Sequence, residues 1–313
     1  MKSTVRRAVI DVGTNSIKLL VADVRGRDVQ PVHEESRQTR LGKGFYETHR
    51  LQPERMACTA EAVWEFAEVA RERNSGSIRV IATSAARDAV NQHDLASAIE
   101  RASGLKMEII SGGQEAEWAF RGVTTDAALA KTPLLLLDVG GGSTEFILGR
   151  GDEIHFAQSF PLGTVRLMEK IPHSDPPTRD EFLRSRDWIK DFLQNEIQPK
   201  LEPALRREKR PGEIQLVGTG GTATILARLE TKAERFDREQ IEKAVLSFDR
   251  LIAHRKVLWK LPLTKRKELP GLPKLRADII LTGVLIYEAV MESFGFRELR
   301  VSTRGLRFAA VMD

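Results

Sequence analysis

Two short segments place a carboxylate, glycine and small polar side chains in the order that a phosphate-holding turn requires. The first is Asp11-Val12-Gly13-Thr14-Asn15-Ser16. Gly13 lets a ligand approach the backbone, and backbone N–H groups with the side chains of Thr14, Asn15 and Ser16 supply donors to phosphate oxygens. A plain polar hairpin tip has the same composition, so this segment alone leaves both readings open. The second, Asp138-Val139-Gly140-Gly141-Gly142-Ser143-Thr144-Glu145, is more specific. Three consecutive glycines are poor strand residues and cost conformational entropy. Between two apolar strands they need a backbone reason, and phosphate contact is one. Asp11, Asp138 and Glu145 are then available to hold Mg²⁺, or Mn²⁺, directly or through water.

Two further residues carry acid–base or anion chemistry. Glu115 opens a helix after Ser111-Gly112-Gly113 and is suited either to general-base work or to complementing the helix end. Arg87 follows an apolar strand, and its guanidinium fork matches phosphate oxygens bidentately, although one exposed arginine among many reads the same way. Asn91 lies four residues later, on the same face if the segment is helical, and is suited to orienting a loop.

The elements that position these residues are legible from periodicity. Strands VRRAVIDVG and SIKLLVADV form a hairpin around Gly13. Met56, Ala60, Val63, Ala67 and Ala70 recur at helical spacing from Pro53 to Arg73, with Trp64 and Phe66 widening the stripe and Cys58 expected half-buried. IRVIAT at 78–83 reads as a buried strand, followed by a helix near Ser84 and another from about His93 to Ala102. MEIISGGQEAEWAFRGV gives strand, glycine turn and helix. The connection TTDAALAKTP marks a boundary, predicting domains over 1–126 and 127–313. The second half reopens with LLLLDVGGGSTEFILG, and Asp138 follows Asp11 by 127 positions. This predicts an internally duplicated, ribonuclease-H-like α/β unit with a cleft between the copies. A helical stretch from Arg179 to Arg207, the strand EIQLVG, the loop Gly218-Thr219-Gly220-Gly221-Thr222, and a strand-turn-helix ELRVSTRGLRFAAV complete the chain; HSDPPT and REKRPGE punctuate it.

Composition narrows the function classes. With 313 residues and 41% hydrophobic content, the chain has material for a sizeable core. A formal charge of +5 favours an anionic partner or simple solubility. Aromatic residues are 6%, and neither zinc-finger spacing nor an RNA-recognition pattern occurs, so specific nucleic-acid binding is not expected. The single cysteine, Cys58, excludes an internal disulfide framework and fits a reducing cytoplasm. No signal-peptide h-region follows the two arginines of MKSTVRRAVIDVG, and no apolar run approaches the roughly 18 residues of a membrane span, so no membrane role is expected.

Taken together the segments resemble the exopolyphosphatase and guanosine pentaphosphate phosphohydrolase family of the actin-like ATPase superfamily. The resemblance is carried by DVGTNS, RLGKG at 40–44, TSAARDAVN at 83–91, IISGGQEA at 109–116, DVGGGSTE, SFPLGTVRL at 159–167, GTGGT, PGLPKLRADII at 270–280 and VSTRGLR at 301–307. It implies two actin-like domains without the C-terminal helical extension of longer members, a homodimer, and polyphosphate or guanosine pentaphosphate as substrate. It also implies that Glu115 is the catalytic glutamate and that Arg87 reaches the scissile phosphates; Glu145 stands with them as a catalytic candidate, and Glu145 or Glu117 is next in line as the base. Gln114 and Glu117 depart from the family pattern, where glutamate and arginine are usual. The Gly218–Thr222 segment is implied to hold a nucleoside, to line a channel or to serve structurally, and Arg276 and Asp278 match a motif of largely structural character. Lys265, Arg266, Lys267, Lys274 and Arg276 form a basic cluster that suits either a polyanion or a solvated face. Two other functions share the fold: a small-molecule kinase, and an actin-like nucleotide switch.

Overall fold

The computed structural model describes residues 3–208 and 213–313. Met1, Lys2 and residues 209–212 within the REKRPGE loop lie outside the described residues. The chain divides into two compact units: one runs to Thr125 and takes in Arg304–Asp313, and the other is Asp126–Thr303.

Among the described residues, the first unit builds a five-stranded sheet in the order β3-β2-β1-β4-β5. Its strands are β1 (Val5–Val12), β2 (Ile17–Arg25), β3 (Asp28–Arg37), β4 (Ser77–Ala82) and β5 (Met107–Ile109). β1 alternates faces, as a pleated strand must. Ala8, Ile10 and Val12 enter one core with Val63 and Phe66, while Val9 enters the opposite core with Ile81, Trp118 and Phe308. The helix Pro53–Glu72 covers the first face with Met56, Ala60, Val63, Phe66, Ala67 and Ala70 buried. Trp64 instead remains 45% exposed and Cys58 is also exposed, correcting the expectation for both. At 100° per residue they fall on the arc opposite Val63 and Phe66.

The second unit contains β6 (Leu134–Val139), β7 (Thr144–Arg150), β8 (Glu153–Phe160), β9 (Gln215–Thr219), β10 (Val245–Ser247) and β11 (Glu298–Val301). Among the described residues they form one sheet ordered β10-β11-β9-β6-β7-β8. Leu134 to Leu137 are all buried, the mark of a central strand covered on both faces. The helix Ile280–Phe294 packs there and is buried along nearly its whole length.

The duplication holds at the level of pairing. β1 pairs antiparallel with β2 and parallel with β4; β6 pairs antiparallel with β7 and parallel with β9. Even the irregularity repeats. Register shifts between Val21 and Ala22 where β2 meets β3, and between Leu148 and Gly149 where β7 meets β8, at the same 127-residue offset that relates the loops.

Three local differences from the sequence reading have physical causes. The closing helix Leu306–Ala310 belongs with the first unit, because Gly122 packs so tightly on Gly305 that a Cβ there would overlap its carbonyl. The stretch 179–207 is interrupted: α-helix to Phe192, a wider π turn over Leu193–Ile197, then α-helix from Gln198. Pro199 has no N–H to return to the preceding turn, and the backbone widens just before it. GTGGTAT is a sharp turn rather than an extended loop, since β9 runs to Thr219 and the helix Gly220–Thr231 starts at once.

Candidate active-site residues

The second glycine segment is held from behind by the segment that follows β8. Thr164 N–H donates to the carbonyl of Gly140 at 3.0 Å, Val165 N–H to that of Gly141 at 2.8 Å, and Arg166 N–H to the same oxygen at 3.1 Å. The side-chain Nε of Arg166 donates to the carbonyl of Gly142 at 2.8 Å. In this way the first N–H groups of the helix Thr164–Lys170, which have no partner inside their own helix, are satisfied. The consequence for the loop follows from peptide geometry. In a trans peptide the C=O and the next N–H point opposite ways. With three successive carbonyls drawn toward residues 164–166, the N–H groups of Gly141, Gly142 and Ser143 turn to the other face. Among the described residues none of the three has a protein acceptor. Successive outward N–H groups of this kind form an anion-binding concavity. Gly163 makes the arrangement possible, because a Cβ there would overlap the backbone of Gly141 and Gly142.

The first segment repeats the construction in the first unit. Gly13 N–H closes on the carbonyl of Ser16 at 3.1 Å, matching Gly140 on Ser143 at 3.0 Å. Gly42 and Arg40, of RLGKG, donate their N–H groups to the carbonyls of Thr14 at 2.7 Å and Asn15 at 3.0 Å. Asn15 is 6% exposed, yet its side-chain Nδ2 has no protein partner. A second buried orphan is Ser84 Oγ, just beyond β4, which runs parallel to β1. Buried donors without partners are costly, and an absent ligand or water is their usual explanation. Sequence reasoning singled out Asn15 but neither Ser84 nor Arg166. A serine after a strand and an arginine one turn into a helix carry no signal of their own; only the quoted motifs around them did.

Glu115 is buried in the first turn of the helix Gly112–Val123, whose Ser111 hydroxyl caps Gln114 N–H. Arg87, at the end of the short helix Ser84–Arg87, donates through Nη1 to Glu115 at 2.9 Å and to the carbonyl of Ile110 at 3.2 Å. The two residues are therefore brought together. Glu117 is exposed on the far side of the helix and lies 3.9 Å from Arg121. Asn91 holds the backbone of Leu51 by accepting from its N–H and donating to its carbonyl, a loop-orienting role.

The remaining candidate carboxylates, Asp11, Asp138 and Glu145, sit near the ends of β1, β6 and β7. Asp11 is buried at the end of β1, and burial pushes its carboxyl above the ordinary range against the pull of Lys18 and Arg307. Asp138 presses on Gly220, whose φ of 79° suits glycine and where a Cβ would overlap the carboxylate. Glu145 is 1% exposed, and one of its oxygens accepts from Ser143 at 2.8 Å and Ser159 at 2.7 Å. Among the described residues no three His, Cys, Asp or Glu gather into a metal shell. Single hard oxygen donors suit Mg²⁺ or Mn²⁺ that keeps water and completes its shell from substrate phosphates, and do not suit a cation needing an all-protein cage.

In the turn at Gly218–Thr222, Thr219 donates to Ser302 O at 3.0 Å, Thr222 donates to Val139 O at 2.9 Å, and the Arg276 guanidinium lies over Gly221. This turn therefore braces the end of β6. The basic cluster is less uniform than its sequence: Arg266 is 4% exposed and Lys265 pairs with Glu268 at 3.0 Å.

Residues 20–312 match the model of the Ppx/GppA phosphatase family. The chain belongs to that family. Among similar Ppx/GppA proteins, Exopolyphosphatase 2 of Mycobacterium tuberculosis is 35% identical over 311 residues, covering 95% of this chain and 94% of that one. Guanosine-5'-triphosphate,3'-diphosphate pyrophosphatase of Photobacterium profundum is 26% identical over 307 residues, and the match spans 98% of this chain but 58% of that protein. Of solved structures, the Aquifex aeolicus Ppx/GppA member superimposes with a TM-score of 0.79 at 29% identity, covering 99% of this chain and 97% of that chain. An exopolyphosphatase from Cytophaga hutchinsonii gives 0.84 at 28% identity, with coverage of 97% and 96%. The expected family and mixed α/β, actin-like fold class are borne out. The Ppx/GppA chain is accordingly a hydrolase, and among its described residues no helix is long and apolar enough to cross a membrane.

Proposed function

We propose that this Ppx/GppA chain releases orthophosphate from the end of inorganic polyphosphate, guanosine pentaphosphate, or both. The observation that carries the reading is the row of three outward N–H groups at Gly141, Gly142 and Ser143; the similarly built turn at Gly13–Ser16 of the other unit, with its orphaned Asn15 amide, supports it. Gly140 to Thr144 and Gly13 to Ser16 bind phosphate oxygens in their respective units. Arg87 binds further oxygens of the scissile group. Glu115 accepts a proton from water as the water oxygen bonds to the terminal phosphorus. The anhydride P–O bond breaks, and its electron pair leaves on the shortened chain. Phosphoryl transfer depends on positioning and on neutralising charge, and the base adds a further factor of about 10²–10⁴. Mg²⁺ or Mn²⁺, when bound, would supply charge neutralisation at the phosphate oxygens, and Asp11 in the first unit and Asp138 and Glu145 in the second are the carboxylates that would be available to it, directly or through water. The Gly218–Thr222 turn serves as a brace that also borders the substrate path. A homodimer working in the reducing cytoplasm completes the reading, supported by the family resemblance and the lone exposed thiol of Cys58.

The deciding experiment is orthophosphate release from long polyphosphate and from guanosine pentaphosphate, with and without Mg²⁺ and with no added acceptor. Release from either supports the reading. Phosphate transfer from ATP only when an alcohol or carboxylate is supplied would replace it with a kinase. Nucleotide binding with no release would replace it with a switch.

A further inference from the structure

The duplicated loops differ at one carbonyl. At the 127-residue offset, Thr14 corresponds to Gly141 and Asn15 to Gly142. The carbonyls of Thr14, Asn15 and Gly141 are all held by backbone N–H groups. Gly142 alone is held by a side chain, the Nε of half-buried Arg166 at 2.8 Å. An uncharged peptide donor in the first unit is thus replaced in the second by a guanidinium.

We infer that Arg166 is a positioning residue for substrate, acting through the Gly142–Ser143 peptide. This rests on the second loop being a phosphate cradle. Two effects follow from the one contact. Drawing the Gly142 carbonyl toward Arg166 aims the Ser143 N–H the opposite way, onto the cradle face. The charge also polarises that peptide and raises the positive potential where phosphate oxygens sit, at a place where the loop has no cationic side chain of its own. Ser143 is also the residue whose hydroxyl reaches Glu145 at 2.8 Å, so the same peptide sets the placement of that hydroxyl. In the first loop the corresponding carbonyls, Thr14 and Asn15, accept from the peptide N–H groups of Gly42 and Arg40.

The test uses the full chain with tripolyphosphate as probe, in Mg²⁺. Arg166→Ala should raise KM on the order of tenfold or more, the value of one charge-assisted hydrogen bond, while kcat falls much less. Hydrogen exchange in the segment 139–144 should quicken, and millimolar guanidine hydrochloride should restore part of the lost affinity. Arg166→Lys keeps the charge but has no donor at Nε; it should melt like the wild type and still show a raised KM. A wild-type KM in both variants, or a lowered melting temperature as the only change, would overturn the role of Arg166. Should Arg166→Ala fail to fold, Arg166→Lys decides alone: unchanged KM refutes the positioning. The cradle itself is checked separately, because tripolyphosphate should slow exchange at 141–143 in the wild type. Absence of that protection removes the phosphate-loop reading, whatever Arg166 does.

Discussion

Arg87 donates to a carboxylate oxygen of Glu115 across 2.9 Å, joining the end of one short helix to the first turn of another. Both residues are withdrawn from solvent, with side-chain exposures of 21% and 11%. Glu115→Gln keeps the size and a hydrogen-bonding oxygen for Arg87 but cannot take a proton from water. Turnover should fall by about 10² or more while polyphosphate binding persists. Arg87→Ala should weaken binding as well as turnover. Since the residues touch, losses in the double variant should be less than the product of the single losses. Steady-state phosphate release with equilibrium binding checks this, and near-wild-type turnover in Glu115→Gln removes Glu115 as the base.

Gly42→Ala and Gly163→Ala separate the two loops by mechanism. A Cβ at Gly42 would meet mainly a side-chain atom, the Thr14 methyl, whereas one at Gly163 would meet backbone atoms of Gly141 and Gly142. Overpacking of this kind costs about 1–3 kcal/mol. Gly163→Ala should therefore lose more substrate affinity than Gly42→Ala. Calorimetric titration with tripolyphosphate measures the order, and a reversed ranking would contradict the backbone-clasp account.

Glu181 caps the helix Arg179–Phe192 and accepts from Thr178 N–H and from the N–H and hydroxyl of Ser174. The Thr178 N–H and Ser174 hydroxyl hold its carboxyl down to about 2. A depressed carboxyl contributes stability that is present above its ordinary value of 4.5 and lost as pH falls toward about 2. Glu181→Gln should lower Tm by about 2–4 °C near neutrality, and the difference should shrink as pH drops through that window. Paired melting curves test it; a difference that stays constant with pH would count against the carboxylate.

The formal charge of +5 and the exposed Lys267 and Lys274 suggest an extended electrostatic contribution for long substrates. Apparent affinity for long polyphosphate should fall more steeply with salt than affinity for guanosine pentaphosphate. Equal slopes would confine recognition to the loops.

The sequence by itself determined the duplication, the two glycine turns and the identity of the buried strands. Those signals are local: alternation of apolar residues, glycine between strands, and one motif repeated at a fixed offset. It also marked Glu115 and Arg87, though only as separate residues. What the tertiary structure decided is how distant segments complete one another. Leu306–Ala310 joins the first unit because Gly122 and Gly305 meet backbone to backbone. The outward turn of the Gly141–Ser143 N–H groups is set by residues 163–166, some twenty positions away, through bonds that no periodicity encodes. Cys58 and Trp64 faced outward for the same reason, since a helix exposes one arc and only packing fixes where that arc ends.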